Sequence, residues 1–414
     1  MGTTFFAFFI ILLVAVVFSQ FFSRMRVPWV VALVVGGIVV GPSGFGLFEV
    51  DATINFFAVI GLVFLMFMAG LESRLSSAKG IKRQLVLTPI FIGVFPTLIG
   101  IWITLAFGYS WTTAVLVGIV FMSSSISLLL PQFQAQKIIA SDLGRVIIGS
   151  IIIVDAFSLL FLAIFLQYVG DGIVPVTILM YLILAGVVAA MLWFAPKMRW
   201  LAFAEDYPEQ QDLYEKELRF IILVLVGFVV FFELAGLHAI IAAFFAGLVL
   251  SGTIKSHLTK AKLHAIGYGF FIPVFFVVLG ATIDVSIFVG ETRAILLTAS
   301  ITGGLILSKF FGGVLAGKIG GFTNEESVFL GTSTIPQLST VLAVAFLGFG
   351  EGILDNNLLA SIVALVIITA IVTPIIINIL GRNLTSQQVV IKEALEPEKT
   401  LSKKPEVVKT DETK

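Results

Sequence analysis

Apolar runs long enough to cross a bilayer recur along the chain from Thr4 to Leu380, separated by short stretches of charged and turn-forming residues. A helix that satisfies its own backbone needs about 20 such residues to span the hydrocarbon core. The pattern predicts helices near 4–22, 28–48, 53–70, 84–107, 111–133 and 144–168, a linking helix at 173–194, and a second set near 218–233, 236–252, 263–283, 294–317, 325–348 and 356–380. That is about 13 spans in an all-α polytopic membrane protein, with residues 1–381 forming one transmembrane domain. Past Gly381 the sequence turns polar and rich in Lys and Glu, so residues 382–414 read as a disordered tail.

Loop charge tests the count, because Lys and Arg concentrate on the cytoplasmic side of membrane proteins. With these spans, Arg24, Arg26, Arg74, Lys79, Lys82, Arg83, Lys137, Arg145, Lys197, Arg199, Lys216, Arg219, Lys255, Lys260, Lys262, Lys318 and the basic tail all fall on one side. Only Arg293 lies opposite, among Glu49, Asp51, Asp171, Glu291, Glu351 and Asp355. The N-terminus is therefore expected outside and the C-terminus inside, and the first span, with its arginines after the apolar run, reads as a helix rather than a signal peptide.

The two halves also resemble each other. Val27 to Gly41 (VPWVVALVVGGIVVG) parallels Leu237 to Ser251 (LHAIIAAFFAGLVLS), and Phe64 to Glu72 (FLMFMAGLE) parallels Phe276 to Asp284 (FVVLGATID). A single linking helix between two six-helix units, about 4–168 and 218–380, puts the second unit in upside down, and inverted repeats of this kind are a transporter signature.

Composition narrows the chemistry. Of 414 residues 59% are hydrophobic and 12% charged, and the mean hydropathy is +1.11; a soluble domain carries about 25% charged residues. The formal net charge is zero, which gives no electrostatic case for nucleic acid, and the absence of cysteine excludes disulfides and thiolate metal sites. No cofactor motif stands: the GGVLAGK stretch at Gly312 to Lys318 continues with Ile319 where a phosphate-binding loop needs Ser or Thr. Gly37 with Gly41, and Gly313 with Gly317, have the spacing of close helix packing. His238, His257 and His264 fall at membrane edges or in loops.

Two ionisable residues sit deep in apolar spans, Asp155 in 144–168 and Lys309 in 294–317. Each costs about 2.5–3.5 kcal/mol at the bilayer centre on insertion scales, which makes mutual pairing the natural arrangement and function the default reading. Two spans are interrupted by polar residues at corresponding places in the repeats. Ser123, Ser124, Ser125 and Ser127 break one, and Thr332, Ser333, Thr334, Pro336 and Gln337 break the other. Paired broken helices leave carbonyl ends that attract cations and N–H ends that attract anions, and Lys309 beside them would compensate charge.

These residues resemble the monovalent cation:proton antiporter-2 family, which includes Kef-type potassium efflux proteins and bacterial sodium/proton antiporters. The resemblance rests on PWVVALVVGGIVVGPSGFG, GLVFLMFMAGLE, the helix bearing Asp155, LHAIIAAFFAGLVLSG, FFIPVFFVVLGATID and the place of Lys309. It implies an elevator-type antiporter of the sodium/proton antiporter fold, usually a homodimer in a bacterial plasma membrane, with crossed broken helices. Asp155 falls at the family's ion- and proton-binding aspartate and Lys309 at the lysine of the second repeat. Electrogenic members carry two adjacent acids, whereas Val154 precedes Asp155 here, so one-for-one exchange is expected unless Lys309 also releases a proton. Many relatives also have a proline, arginine, glycine, glutamate run where this chain reads TIPQLST at Thr334 to Thr340.

The expected function is exchange of Na+ for H+ by alternating access, Asp155 holding either ion, with hydroxyl and backbone oxygens around Ser123 to Ser127 as further hard ligands. K+ in place of Na+ is the alternative, and a cation channel or a non-transporting receptor is more remote because the polar residues cluster at one depth. An enzyme is not expected, since no acid, base and nucleophile constellation is present.

Overall fold

The computed structural model describes residues 2–395 apart from positions 26, 73–81, 140, 171–214, 235–237, 252–253, 255–256 and 289–291. Every described element is helical. The first repeat comprises α1 (Gly2–Arg24), α2 (Trp29–Val40), α3 (Ala52–Glu72), α4 (Lys82–Pro89), α5 (Phe95–Ala106), α6 (Trp111–Met122), α7 (Leu130–Ala135) and α8 (Asp142–Gly170). The second comprises α9 (Lys216–Leu234), α10 (Ala239–Ser251), α11 (His257–Ile266), α12 (Ile272–Ala281), α13 (Thr292–Gly320), α14 (Asn324–Ser333), α15 (Ser339–Gly350) and α16 (Asn356–Leu395). Each span expected from the sequence has a described counterpart except 173–194, which lies outside the described residues.

Local chemistry explains the departures from the expected bounds. The 28–48 span closes at Val40, because Gly41, Pro42, Ser43 and Gly44 turn the chain although they sit among apolar residues. Pro96 and Pro273 cannot donate to the preceding turn, and just before each the helix widens into a π turn, at Ile90–Val94 between α4 and α5 and at Gly267–Phe271 between α11 and α12. The tail expected to be disordered from 382 onward is helical as far as Leu395. The stretch RNLTSQQVVIKEAL contains neither Gly nor Pro, so nothing in it stops a helix already propagating from the membrane.

The helices form two bundles. α1, α2, α3 and α9–α12 pack together, with α3 on α10 and α2 on α12 as the main contacts; α4–α8 and α13–α16 form the other, built on α5 with α6 and α13 with α14. Between the bundles α8 meets α10 and α15 meets α3. On the outer surface Phe5, Phe6, Phe9, Leu13 and Val16 of α1 are exposed, as a lipid-facing helix requires.

Glycine sets how closely the first bundle packs. A Cβ on Gly37 would lie 2.1 Å from the Val277 carbonyl oxygen, and one on Gly280 would lie 2.1 Å from that of Val34. The contact repeats between α3 and α10, where a Cβ on Gly70 would meet Phe244 O at 2.1 Å and one on Gly247 would meet Phe67 O at 2.1 Å. Gly37 pairs with Gly247 and Gly70 with Gly280 at one and the same sequence offset, so the two contacts are repeats of each other, related as by a two-fold axis. Gly41, Gly313 and Gly317 likewise have no room for a side chain. Gly247→Val forces the α3 and α10 backbones apart, and overpacking of this kind costs about 1–3 kcal/mol or more. Loss of the monodisperse peak on size exclusion in detergent is the expected outcome.

The opposite membrane face is tied by polar groups. Arg293 donates to Phe107 O at 2.6 Å, Thr113 Oγ1 donates to Ile353 O at 3.1 Å, and the Tyr109 hydroxyl donates to Asp355 at 3.1 Å. Burial, followed by the Asp355 charge, pushes the Tyr109 phenol above its usual range, so it remains a donor. The bond to Phe107 O gives Arg293 a local role.

Candidate functional site

Both interrupted helices stop where the sequence breaks them, and their loose ends cross. Ser110 caps the start of α6, accepting from Thr113 N, and the helix ends when Ser123 becomes extended. Thr323 and Glu326 form a capping box at the start of α14, and past Ser333 the chain is not helical until Ser339, a gap that contains Pro336. In lipid the backbone groups freed at such ends need partners, and here the two breaks supply them to each other. Ser125 N donates to Pro336 O at 2.8 Å, Ser124 Oγ to Thr334 O at 2.8 Å, and Gln337 Nε2 to Ser123 O at 2.8 Å.

Asp155 lies on α8 against this crossing. Its Oδ1 accepts from Ser123 Oγ at 2.6 Å and from Ser124 N at 3.2 Å. Among the described residues no donor reaches Oδ2, and Asp155 lines a cavity of about 100 Å³ between the two bundles. Ser125 and Ser127 form part of its wall, with their hydroxyls 3.0 Å apart, and Glu72, Tyr268 and Trp29 face it from the other bundle. A carboxylate with one oxygen held by donors and the other without one, beside a largely apolar cavity that also carries serine hydroxyls, can take up either a proton or a hard cation.

Lys309 is fully buried on α13 and does not pair with Asp155. Among the described residues the ion pairs are Arg145 with Asp142 and Lys262 with Glu215. Lys309 Nζ instead donates to Met122 O at 2.6 Å, Ile92 O at 2.9 Å and Ser124 Oγ at 2.9 Å. The expectation of direct pairing overlooked carbonyls stripped of helical partners. Met122 ends α6, and Pro96 has no N–H to offer Ile92 O. An ammonium placed on a helix C-terminus meets the negative end of its dipole, and the apolar side chains of Ile92, Met122 and Val154 cluster together beside it.

The other residues singled out from the sequence divide by position. Ser123 and Ser124 hold the carboxylate, Ser125 and Ser127 line the cavity, and Thr334 and Pro336 lend carbonyls to the crossing. Gln337 clamps Ser123 O, and its own Oε1 has no partner among the described residues. Thr332 bonds back to Val328 O at 2.9 Å, while Ser333 Oγ is buried without a partner among the described residues, and neither bonds to Asp155. Sequence reasoning passed over Glu72, Trp29 and Tyr268. An acid closing the apolar run GLVFLMFMAGLE was the available signal for Glu72; the aromatics had none among so many phenylalanines.

Comparison with known proteins bears on the family and the fold. The family described as "Sodium/hydrogen exchanger, transmembrane" matches residues 8–382. The chain is 28% identical over 383 residues to "Probable Na(+)/H(+) antiporter 3" of Methanocaldococcus jannaschii, covering 91% of this chain and 97% of that protein. It is 31% identical over 374 residues to the Na(+)/H(+) antiporter NhaS5 of Synechocystis, covering 88% of this chain and 53%, about half, of that longer protein. The solved sodium proton antiporter MjNhaP1 of Methanocaldococcus jannaschii superposes with a TM-score of 0.68 at 15% identity, over 93% of this chain and 100% of that one, and shares the fold.

Proposed function

The chain belongs to the sodium/hydrogen exchanger family, and from that premise we propose that it exchanges Na+ for H+ across the membrane, with Asp155 as the group that carries one or the other. The observation that carries this reading is the half-held carboxylate: Oδ1 fixed by Ser123 and Ser124, and the cavity beside it lined by the Ser125 and Ser127 hydroxyls. A proton on Asp155 removes the negative charge that a cation needs, and a bound cation displaces the proton, so each transit moves one of them. Val154 is buried beside Asp155 in sequence and leaves a single carboxylate on α8 against the crossing, which favours electroneutral one-for-one exchange.

The bundle carrying Asp155 moves against the bundle of α1–α3 and α9–α12 in this reading, and the cavity between them is the substrate's way in. Glu72, Trp29 and Tyr268 belong to helix ends that the loop charges assign to the cytoplasm, so this is the inward-facing arrangement, with the N-terminus outside and the C-terminus inside a plasma membrane. The working unit is a homodimer in this reading, as the family resemblance implies. Reconstituted liposomes test the proposal: a Na+ gradient collapses a preset pH gradient, K+ at the same concentration does so less, and clamping the voltage with valinomycin leaves the rate unchanged. A faster collapse with K+ than with Na+ assigns K+/H+ exchange, and a rate that follows voltage contradicts one-for-one coupling.

A further inference from the structure

Ser124 touches both ionisable groups and the helix crossing. Its N–H donates to Asp155 Oδ1 at 3.2 Å, its hydroxyl oxygen accepts from Lys309 Nζ at 2.9 Å, and its hydroxyl proton goes to Thr334 O at 2.8 Å. A hydroxyl has one proton to give. With that proton committed to a carbonyl and an ammonium seated on its oxygen, Ser124 is poorly placed to ligate a second cation, unlike Ser125 and Ser127 on the cavity wall. We propose that Ser124 is a positioning residue that makes the occupancy of Asp155 depend on the charge of Lys309, through one hydroxyl and one peptide N–H. This rests on the reading of Asp155 as the proton and cation carrier.

The chemistry is a change of donor. While Lys309 is an ammonium it gives a hydrogen to Ser124 Oγ, and Ser124 gives its own to Thr334 O. Loss of one N–H proton from Nζ to solvent leaves a neutral amine with a lone pair, so the Ser124 hydroxyl can turn its own proton to Nζ and release Thr334 O, a rotation that breaks no further covalent bond. Thr334 belongs to the second broken helix, while the peptide that carries the Asp155 bond belongs to the first, so the turn alters both sides of the crossing at once. The other groups around Lys309 cannot substitute. Ile92 O and Met122 O are carbonyls with no proton to redirect, and Thr334 Oγ1, 3.3 Å from Lys309 O, already donates to Gly331 O at 2.9 Å. Among the described residues the titratable group whose charge acts on Lys309 is Asp155 on α8. Arg83 on α4 and Glu325 and Glu326 on α14 sit at the starts of those helices, and α5, α6 and α15 offer no charged side chain.

Ser124→Ala removes an acceptor from the charged lysine, so the alkaline limb of Na+-driven proton flux is expected to move toward acid by about one pH unit, a tenfold change in the underlying equilibrium. Ser124→Thr keeps the hydroxyl and restores the limb. Na+-induced stabilisation against thermal unfolding in detergent, followed across pH, reads the same linkage in variants that do not transport. There the shift caused by Ser124→Ala is expected to vanish in a Lys309→Met background, since the two changes break one linkage. A Ser124→Ala profile that coincides with wild type, or a shift that persists without Lys309, overturns the proposal. Na+ stabilisation that survives Asp155→Asn with its pH dependence intact instead removes the antiport reading beneath it.

Discussion

Asp155→Asn is expected to reduce Na+-dependent proton movement in everted vesicles to background while the protein still folds. Asparagine keeps the size of the side chain, and its carbonyl oxygen can still accept from Ser123 Oγ and Ser124 N, the two donors that hold Oδ1. What it loses is the charge that attracts a cation and the site that takes a proton. Both fluxes therefore stop together. A neutral amide is also easier to keep in a membrane than a carboxylate, whose insertion costs about 2.5–3.5 kcal/mol at the centre of a helix. Unfolding temperature in detergent should accordingly hold or rise, which separates lost transport from lost structure. Wild-type flux in this variant would refute the assignment of Asp155.

Lys309→Ala should be damaging in a different way. It deprives Ile92 O and Met122 O of their shared donor in a region where water cannot replace it, and an unsatisfied buried polar group costs about 1–3 kcal/mol. It also leaves a cavity beside Ile92, Met122 and Val154. Relief from burying an ammonium offsets part of this, so a net loss of about 2 kcal/mol is expected, seen as unfolding several degrees lower in detergent together with slower transport. Lys309→Met fills the space and should recover part of the stability but not the transport rate, because Ile92 O and Met122 O still lack their donor. Unchanged stability and an unchanged pH profile in both variants would reduce Lys309 to filler.

Much of this architecture is legible in the residue pattern because lipid imposes a simple rule on backbone polar groups. Long apolar runs had to become helices. The Ser123 to Ser127 run and Pro336 announced the two breaks, and Asp155 and Lys309 stood out because charge at that depth is costly. Partner choice was harder to read. Attraction between opposite charges suggested a salt bridge, yet Lys309 turns to carbonyls whose availability is written only indirectly, in the missing N–H of Pro96 and in the end of α6 at Met122. Boundaries failed where composition and geometry diverge, as at Gly41, where apolar neighbours hide a turn, and past Gly381, where polar residues continue a helix. The Glu72 side of the cavity comes from another bundle, and no local pattern specifies which distant helix will face Asp155.

Proton release on cation binding tests the exclusion between the two ions without requiring transport. Purified protein in detergent and weakly buffered solution, held acidic enough to protonate Asp155, is mixed with Na+ while a pH indicator records the protons set free. The account predicts about one proton released for each Na+ bound, since a single carboxylate exchanges one for the other, and no release from Asp155→Asn. Saturable Na+ binding with no proton released, or release of the same size from Asp155→Asn, would contradict it.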